Sequence, residues 1–367
     1  MDPKNPLIPL EIDWGKVKIA KGAPDPHLLK AVVRESKEIG KSHPGDLSSG
    51  LIEARAYVLL KKNDQALSVY KALLSAHPDN FSAMLGKANV LFSQNHLKKS
   101  GKIAKKLIAS HPDDIRIHLL MASIDQKENN VRGMVDHLEK VHQLAPSWAS
   151  PALSLAAADL SLKRYEEAKS IAFSVHEAHP DLTSSFFIQA SSEMGLGEYR
   201  AAEHDFVSLA RQSKKPGSLY NEASVAAAKA GDQEDALKYL NLAYKNDPEN
   251  PGILNNMAYS LAWRNTDLPR ALAYSEKALK KDPQPYVQDT VGYVLFRLGH
   301  YDQAESHFAE AYKANFRDPE FLFHMGLNEW KLGKKDKAEG LLRKAVTSGT
   351  LTPDEQREAH RVLQKIS

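Results

Sequence analysis

The sequence predicts an all-α protein, a solenoid of tandem helical hairpins, and three observations lead there. Prolines recur at a fixed interval of about 34 residues, at Pro44, Pro78, Pro112, Pro146 and Pro180. Lys214 then falls in phase beside Pro216, and Pro248 resumes the series. Small residues keep the same interval, one set at Ala54, Ala88, Ala122, Ala156, Ala190, Ser224, Ala258, Gly292 and Gly326. A second set runs through Ala66, Ala168, Ala202, Ala236, Ala271, Ala304 and Ala338, with Ser100 and Met134 as departures. Large apolar residues fall between them at helical spacing. In residues 285–318, Gly292 and Ala304 let two helices approach across the turn at Gly299-His300, while Tyr293, Leu295, Phe308 and Ala311 fill the seam. A two-helix unit of this size cannot bury its own apolar face, so it must stack on copies of itself.

Taken in order, residues 1–24 stand outside the repeat. Three prolines before residue 10, followed by Ile12, Trp14, Val17 and Ile19 among polar residues, predict an extended or turn-rich arm. Asp25-Pro26 opens a helix through Ile39, and residues 25–46 form an N-terminal capping half-repeat. Nine copies follow over 47–352, beginning at residues 47, 81, 115, 149, 183, 217, 251, 285 and 319. Each closing proline stops a helix, and the Asp or Ser after it is placed to cap the next. The seventh copy takes one extra residue in its turn, with Pro269 just inside the second helix. Residues 353–367, opened by Pro353, predict a polar-faced capping helix, which a repeat stack needs for solubility.

Composition narrows the function classes. A net charge of +3 implies no bulk attraction to nucleic acid or membrane. With no cysteine there is no disulfide framework, thiolate metal site or cysteine nucleophile, and periplasmic and cytoplasmic chains fit that equally. No apolar run has the length of a membrane span, and no signal-peptide pattern is present. Histidines precede prolines at His43, His77, His111 and His179, but the stacking interval sets them too far apart to share one ion. A helix C-terminal role is the ordinary explanation, so neither a metal nor a cofactor is expected. Gly195 and Gly197 follow a helix and not a strand, which removes a nucleotide loop. Lys98, Lys99, Lys102, Lys105 and Lys106 are expected on a solvated outer helix face. There is no HExxH, Walker loop or nucleophile elbow, and the acids read as exposed helix charges, so no enzyme is expected.

The order small, large, Gly-x-Tyr, Ala, Phe, Ala, with a closing proline, resembles the tetratricopeptide repeat in a tandem array of bacterial type. The resemblance implies a right-handed superhelix whose first helices line a concave groove with their second, fifth, ninth and twelfth positions. Carried onto this chain, that groove begins polar at Ser48, Arg55, Ser82, Asn89 and Arg116 and turns apolar through Leu119, Leu153 and Phe187. Its far half holds Asn221, Asn255, Tyr259, Tyr286, Asp289, Tyr293, Phe296, Phe323, Leu327 and Trp330. Tyr259, Tyr293, Phe323 and Trp330 are expected to form one exposed aromatic stripe that grips a protein or peptide ligand. The family's clamp for a terminal carboxylate is not matched. Asn256 holds one of its positions, but Asn221 and Val225 replace the lysine and asparagine expected one copy earlier. A non-enzymatic protein-binding scaffold is thus the expected function. An envelope protein of a polysaccharide export or secretion machinery, binding glycan or assembly partners, is the first alternative. A single-stranded RNA binder is the second, disfavoured by the few groove cations beside the aromatics.

Overall fold

A computed structural model describes Trp14, Val17 and residues 24–366. Among the described residues the regular elements are helices throughout, with no strand. The capping helix α1 (Pro26–Ser42) precedes nine hairpins: α2 (Leu47–Leu59) with α3 (Asn63–Ala76), α4 (Phe81–Ser93) with α5 (Leu97–Ser110), and α6 (Ile115–Lys127) with α7 (Val131–Leu144). The central three pair α8 (Ala149–Ser161) with α9 (Tyr165–Ala178), α10 (Thr183–Leu196) with α11 (Tyr199–Gln212), and α12 (Gly217–Lys229) with α13 (Gln233–Asn246). The last three pair α14 (Pro251–Trp263) with α15 (Leu268–Lys281), α16 (Pro285–Leu298) with α17 (Tyr301–Lys313), and α18 (Pro319–Lys331) with α19 (Lys335–Thr347). The closing helix is α20 (Pro353–Ile366). The fold is an all-α solenoid of tandem helix pairs.

Each hairpin turns on a residue with positive φ, and these residues keep one phase: Lys61, Asn95, Asn129, Lys163, Gly197, Gly231, Asn265, Gly299 and Gly333. The residue after the turn closes it by reaching back to the first helix. His300 N–H donates to the Leu295 carbonyl at 2.9 Å, and Asp232 N–H to that of Ala227 at 2.9 Å. The extra residue of the seventh copy is absorbed by a second positive φ at Asp267, whose carboxylate caps α15. Between copies, the residue before the proline ends the second helix and a polar residue caps the next. Thus His77 N–H donates to the Leu73 carbonyl at 2.7 Å, and Asn80 Oδ1 accepts from Ala83 N–H at 2.9 Å. Two pre-proline histidines reach back along the chain and not to the carbonyl ends of their own helices, which corrects the helix C-terminal role expected for them: His77 bonds the Gly45 carbonyl at 3.0 Å and His111 lies against Phe81 at 4.5 Å.

The small residues sit where the helices touch. A Cβ added to Gly292 would fall 2.7 Å from the Phe308 ring of the partner helix, and Ala304 is fully buried. The departure at Ser100 is accommodated by a bond across its hairpin, Ser100 Oγ donating to the Ala88 carbonyl at 2.8 Å. Ser224 does the same from the other helix, to Ala236 at 2.8 Å.

The chain divides into two compact units, Met1–Ile188 and Gln189–Ser367. In the first, Trp14 and Val17 are buried among Leu29, Val32, Ile52, Tyr57 and Tyr70, so the arm is anchored through Trp14. Both residues are helical, which corrects the extended backbone expected there; burying two large side chains three residues apart on one surface suits a helical turn. The rest of that arm lies outside the described residues. In the second unit the core runs from Leu240, Ile253 and Leu254 through Val287 and Val294. It continues to Phe308, Phe321 and Leu342, and there Leu351, Ala359 and Val362 bring α20 into the same apolar cluster.

One expectation about charge is overturned. The eleventh residue of the first helix is a buried acid in four copies: Asp125, Asp159, Glu193 and Glu329. Three of them are held by a side chain five residues on, beyond the turn. Asn130 donates to Asp125 at 2.8 Å, Arg164 lies 3.3 Å from Asp159, and Lys334 lies 3.7 Å from Glu329, which Lys337 also meets at 2.6 Å. These acids are internal ties of the hairpin and not solvated surface charges, because the tight turn brings a donor back over the helix end.

Candidate functional site on the last three repeats

The helices α14, α16 and α18 pack side by side in the second unit, each the first helix of its copy. Their side chains form one connected cluster of rings. Tyr259 lies 5.6 Å from Tyr293, Tyr293 stacks on His324 at 4.1 Å and 22°, and Phe323 meets His324 at 5.7 Å. Phe296 continues it 6.3 Å from Tyr293. Tyr259, Tyr293, Phe296 and Phe323, from three copies, are thus joined through ring contacts.

Their exposure is different from the expectation. Tyr293 is 3% exposed and Phe323 1%, and Asn255 is buried as well. The stripe is filled at its centre, because bulky rings in consecutive copies close over one another and Arg297 donates to the Tyr293 hydroxyl at 2.9 Å. Burial pushes the Tyr293 phenol up to about 12. Tyr259 is partly buried, and other residues of the expected groove are more open. Tyr286 is 40% exposed, donating to Asp282 at 2.7 Å. Phe296 and Trp330 are half-buried, with Lys331 4.9 Å and Lys365 5.7 Å from the Trp330 ring. Asn221 is half-buried and its Oδ1 accepts from Asn256 at 2.9 Å, an amide pair between neighbouring first helices. Asp289 is half-buried and engaged by His324. Phe187, 43% exposed, belongs to the first unit.

Beside the rings is a polar group that the sequence did not single out. His324 is 1% exposed, and its Nδ1 lies 3.1 Å from Asp289 Oδ1. Glu320, four residues before it on α18, accepts a hydrogen bond from the Tyr259 hydroxyl. Glu355, from the first turn of α20, is buried and accepts from Thr352 N–H at 2.7 Å and Thr352 Oγ1 at 2.8 Å, a reciprocal cap of that helix. Burial opposes a charge on His324, yet Asp289, Glu320 and Glu355 outweigh it and hold the imidazole above its ordinary value. Burial raises the Glu320 carboxyl, against His324 and Tyr259, which lower it. Glu320 occupies the second position of the ninth copy, and E-x-x-x-H puts it on one helix face with His324. That spacing is the one local signal that could have found this pair.

Family models place the chain. Those of the tetratricopeptide repeat match residues 57–124, 189–251 and 292–355, together more than half of the sequence, and the chain belongs to that family. No curated protein matches it in sequence. Among solved structures it is similar to a tetratricopeptide repeat protein from Parabacteroides merdae ATCC 43184, at 13% identity and a TM-score of 0.47, over 71% of this chain and 98% of that one. It is also similar to YrrB, described as a TPR protein with an unusual peptide-binding site, at 16% identity and 0.47, over 51% and 97%. Yeast Tom70 is similar at 14% identity and 0.47, over 99% and 89%. Among the described residues no helix is long and apolar enough to cross a membrane.

Proposed function

We propose that the protein is a non-enzymatic scaffold that binds a protein or peptide segment on the first-helix face of its last three repeats. The observation that carries this is a set of accessible aromatics on the helices that bear the buried rings: Tyr286 is exposed and Phe296 and Trp330 are half-buried, at the second and twelfth positions of α16 and α18. Rings held rigidly by a packed base offer contact area at low entropic cost, and the Asn221–Asn256 pair lies on the same run of first helices with amides suited to a peptide backbone. The buried Tyr293 and Phe323 support that base and do not touch the ligand. Carboxylates of Asp289 and Glu320 among these rings make a polyanion a poor occupant, which favours peptide over RNA.

Selection from a random peptide display library tests the proposal. An enriched sequence class is expected, bound with shallow salt dependence. Tyr286→Ala or Trp330→Ala should weaken it by about 2 kcal/mol or more, with little change in melting for exposed Tyr286 and a lower melting temperature for Trp330, which packs on the core. Enrichment of oligonucleotides or glycans in parallel arms, or peptide binding indifferent to both variants, would overturn it.

A further inference from the structure

The cluster at the end of the second unit has the construction of a metal centre. Glu320, His324 and Glu355 each offer a ligand atom, and the three atoms lie within 4.8 Å of one another. His324 uses Nδ1 on Asp289, which leaves Nε2 for the cluster, and that atom is buried with no hydrogen-bond partner. A buried ring nitrogen without a partner is costly in a packed interior, and it sits among carboxylates that a cation would offset.

We propose that Glu320, His324 and Glu355 bind one divalent transition ion of the zinc class. One imidazole with two carboxylates suits a borderline first-row ion, whereas calcium takes six to eight oxygens and magnesium keeps to oxygen ligands and several waters. Each ligand also has the outer partner that metal ligands require: Asp289 orients His324 through Nδ1, the Tyr259 hydroxyl holds Glu320, and Thr352 holds Glu355. Tetrahedral zinc sets its ligand atoms about 3.4 Å apart, so the group draws together by about an ångström on binding, within reach of two glutamate side chains. A fourth position is left for water or for a donor from a bound partner. The ion would tie α20 to α18, two helices whose contact otherwise rests on apolar packing and the buried Glu355.

Chelator-treated full-length protein is titrated with Zn²⁺ by calorimetry, with Mn²⁺, Mg²⁺ and Ca²⁺ in parallel, and Co²⁺ serves as a visible-absorption probe. One Zn²⁺ per chain is expected, with a rise in melting temperature and weak or absent binding of Mg²⁺ and Ca²⁺. His324→Gln should abolish the site and the Co²⁺ bands. Glu355→Gln, which keeps an acceptor for the Thr352 cap, should weaken binding at least tenfold. Asp289→Asn, a change at a positioning residue, should weaken it about ten- to a hundredfold and shift the Co²⁺ bands. Should His324→Gln fail to fold by circular dichroism, Glu355→Gln decides. No stoichiometric ion in the wild type would overturn the proposal. So would binding that survives Glu355→Gln but is lost when the exposed His77, His111 and His179 are replaced by glutamine.

Discussion

At the scale of single residues, Asp159 couples stability to pH. Asp159 is 1% exposed, and burial raises its carboxyl to about 6, against the pull of Arg164 and with the push of Glu139 and Glu167. A carboxyl raised in the folded state is favoured there in its protonated form. Its contribution is therefore full below the unfolded value of about 4 and is lost as pH rises through about 6. Asp159→Asn removes that loss. Relative to wild type, the variant should gain about 2 kcal/mol between pH 4 and pH 7, read as the difference of paired melting curves. A variant-minus-wild-type difference that stays flat over that range would show Asp159 to be ionised throughout, held by Arg164. The residue scale is also where the sequence was least legible. Asp125, Asp159, Glu193 and Glu329 share one position of the repeat, but an acid there reads as a surface charge until the fold buries it, with a donor from beyond the turn over Asp125, Asp159 and Glu329. Likewise Tyr293 and Phe323 hold groove positions in the repeat, and only the size of the rings in adjacent copies decides that the groove is filled there.

At the scale of the element, the helical hairpin was legible in its repeat phase, though the capping helix α1 runs to Ser42 and not only to Ile39. Helix ends, turn positions and the extra residue before Pro269 follow from prolines, small residues and caps, because these act within a few residues of chain. The cluster of Asp289, Glu320, His324 and Glu355 was not, since it joins side chains from α16, α18 and α20 that only stacking brings together. The turn itself carries strain that the glycine-bearing copies avoid. Lys61 and Lys163 hold φ of 58° and 61° at the position that Gly197, Gly231, Gly299 and Gly333 fill elsewhere. A side chain with a Cβ in this region is disfavoured by about 1 kcal/mol or more, and glycine gives part of that back through its looser unfolded chain. Lys163→Gly should therefore stabilise the protein by about 0.5 kcal/mol, and Gly299→Ala should destabilise it by about 1 kcal/mol or more. Denaturant melts with unchanged m-values would measure both; a destabilised Lys163→Gly would mean that the lysine side chain supplies a contact outweighing its backbone strain.

At the scale of the molecule, a stack of repeats has no single centre, and each copy is stabilised by its neighbours on either side. The last copy has α20 in place of a following hairpin, with Leu351, Ala359 and Val362 closing the apolar cluster of Phe308, Phe321 and Leu342. Removing residues 353–367 uncovers that cluster and takes away Glu355 and its reciprocal cap with Thr352. The consequence should be local and graded. Amide exchange should accelerate most in α18 and α19, less in α16 and α17, and not measurably in α2 to α5, many copies away along the chain. Exchange read by mass spectrometry, on the truncated and full chains at equal temperature, resolves the gradient. A uniform loss of protection from α2 to α19 would instead make the whole chain one cooperative unit, and nearest-neighbour stacking would then not describe its stability.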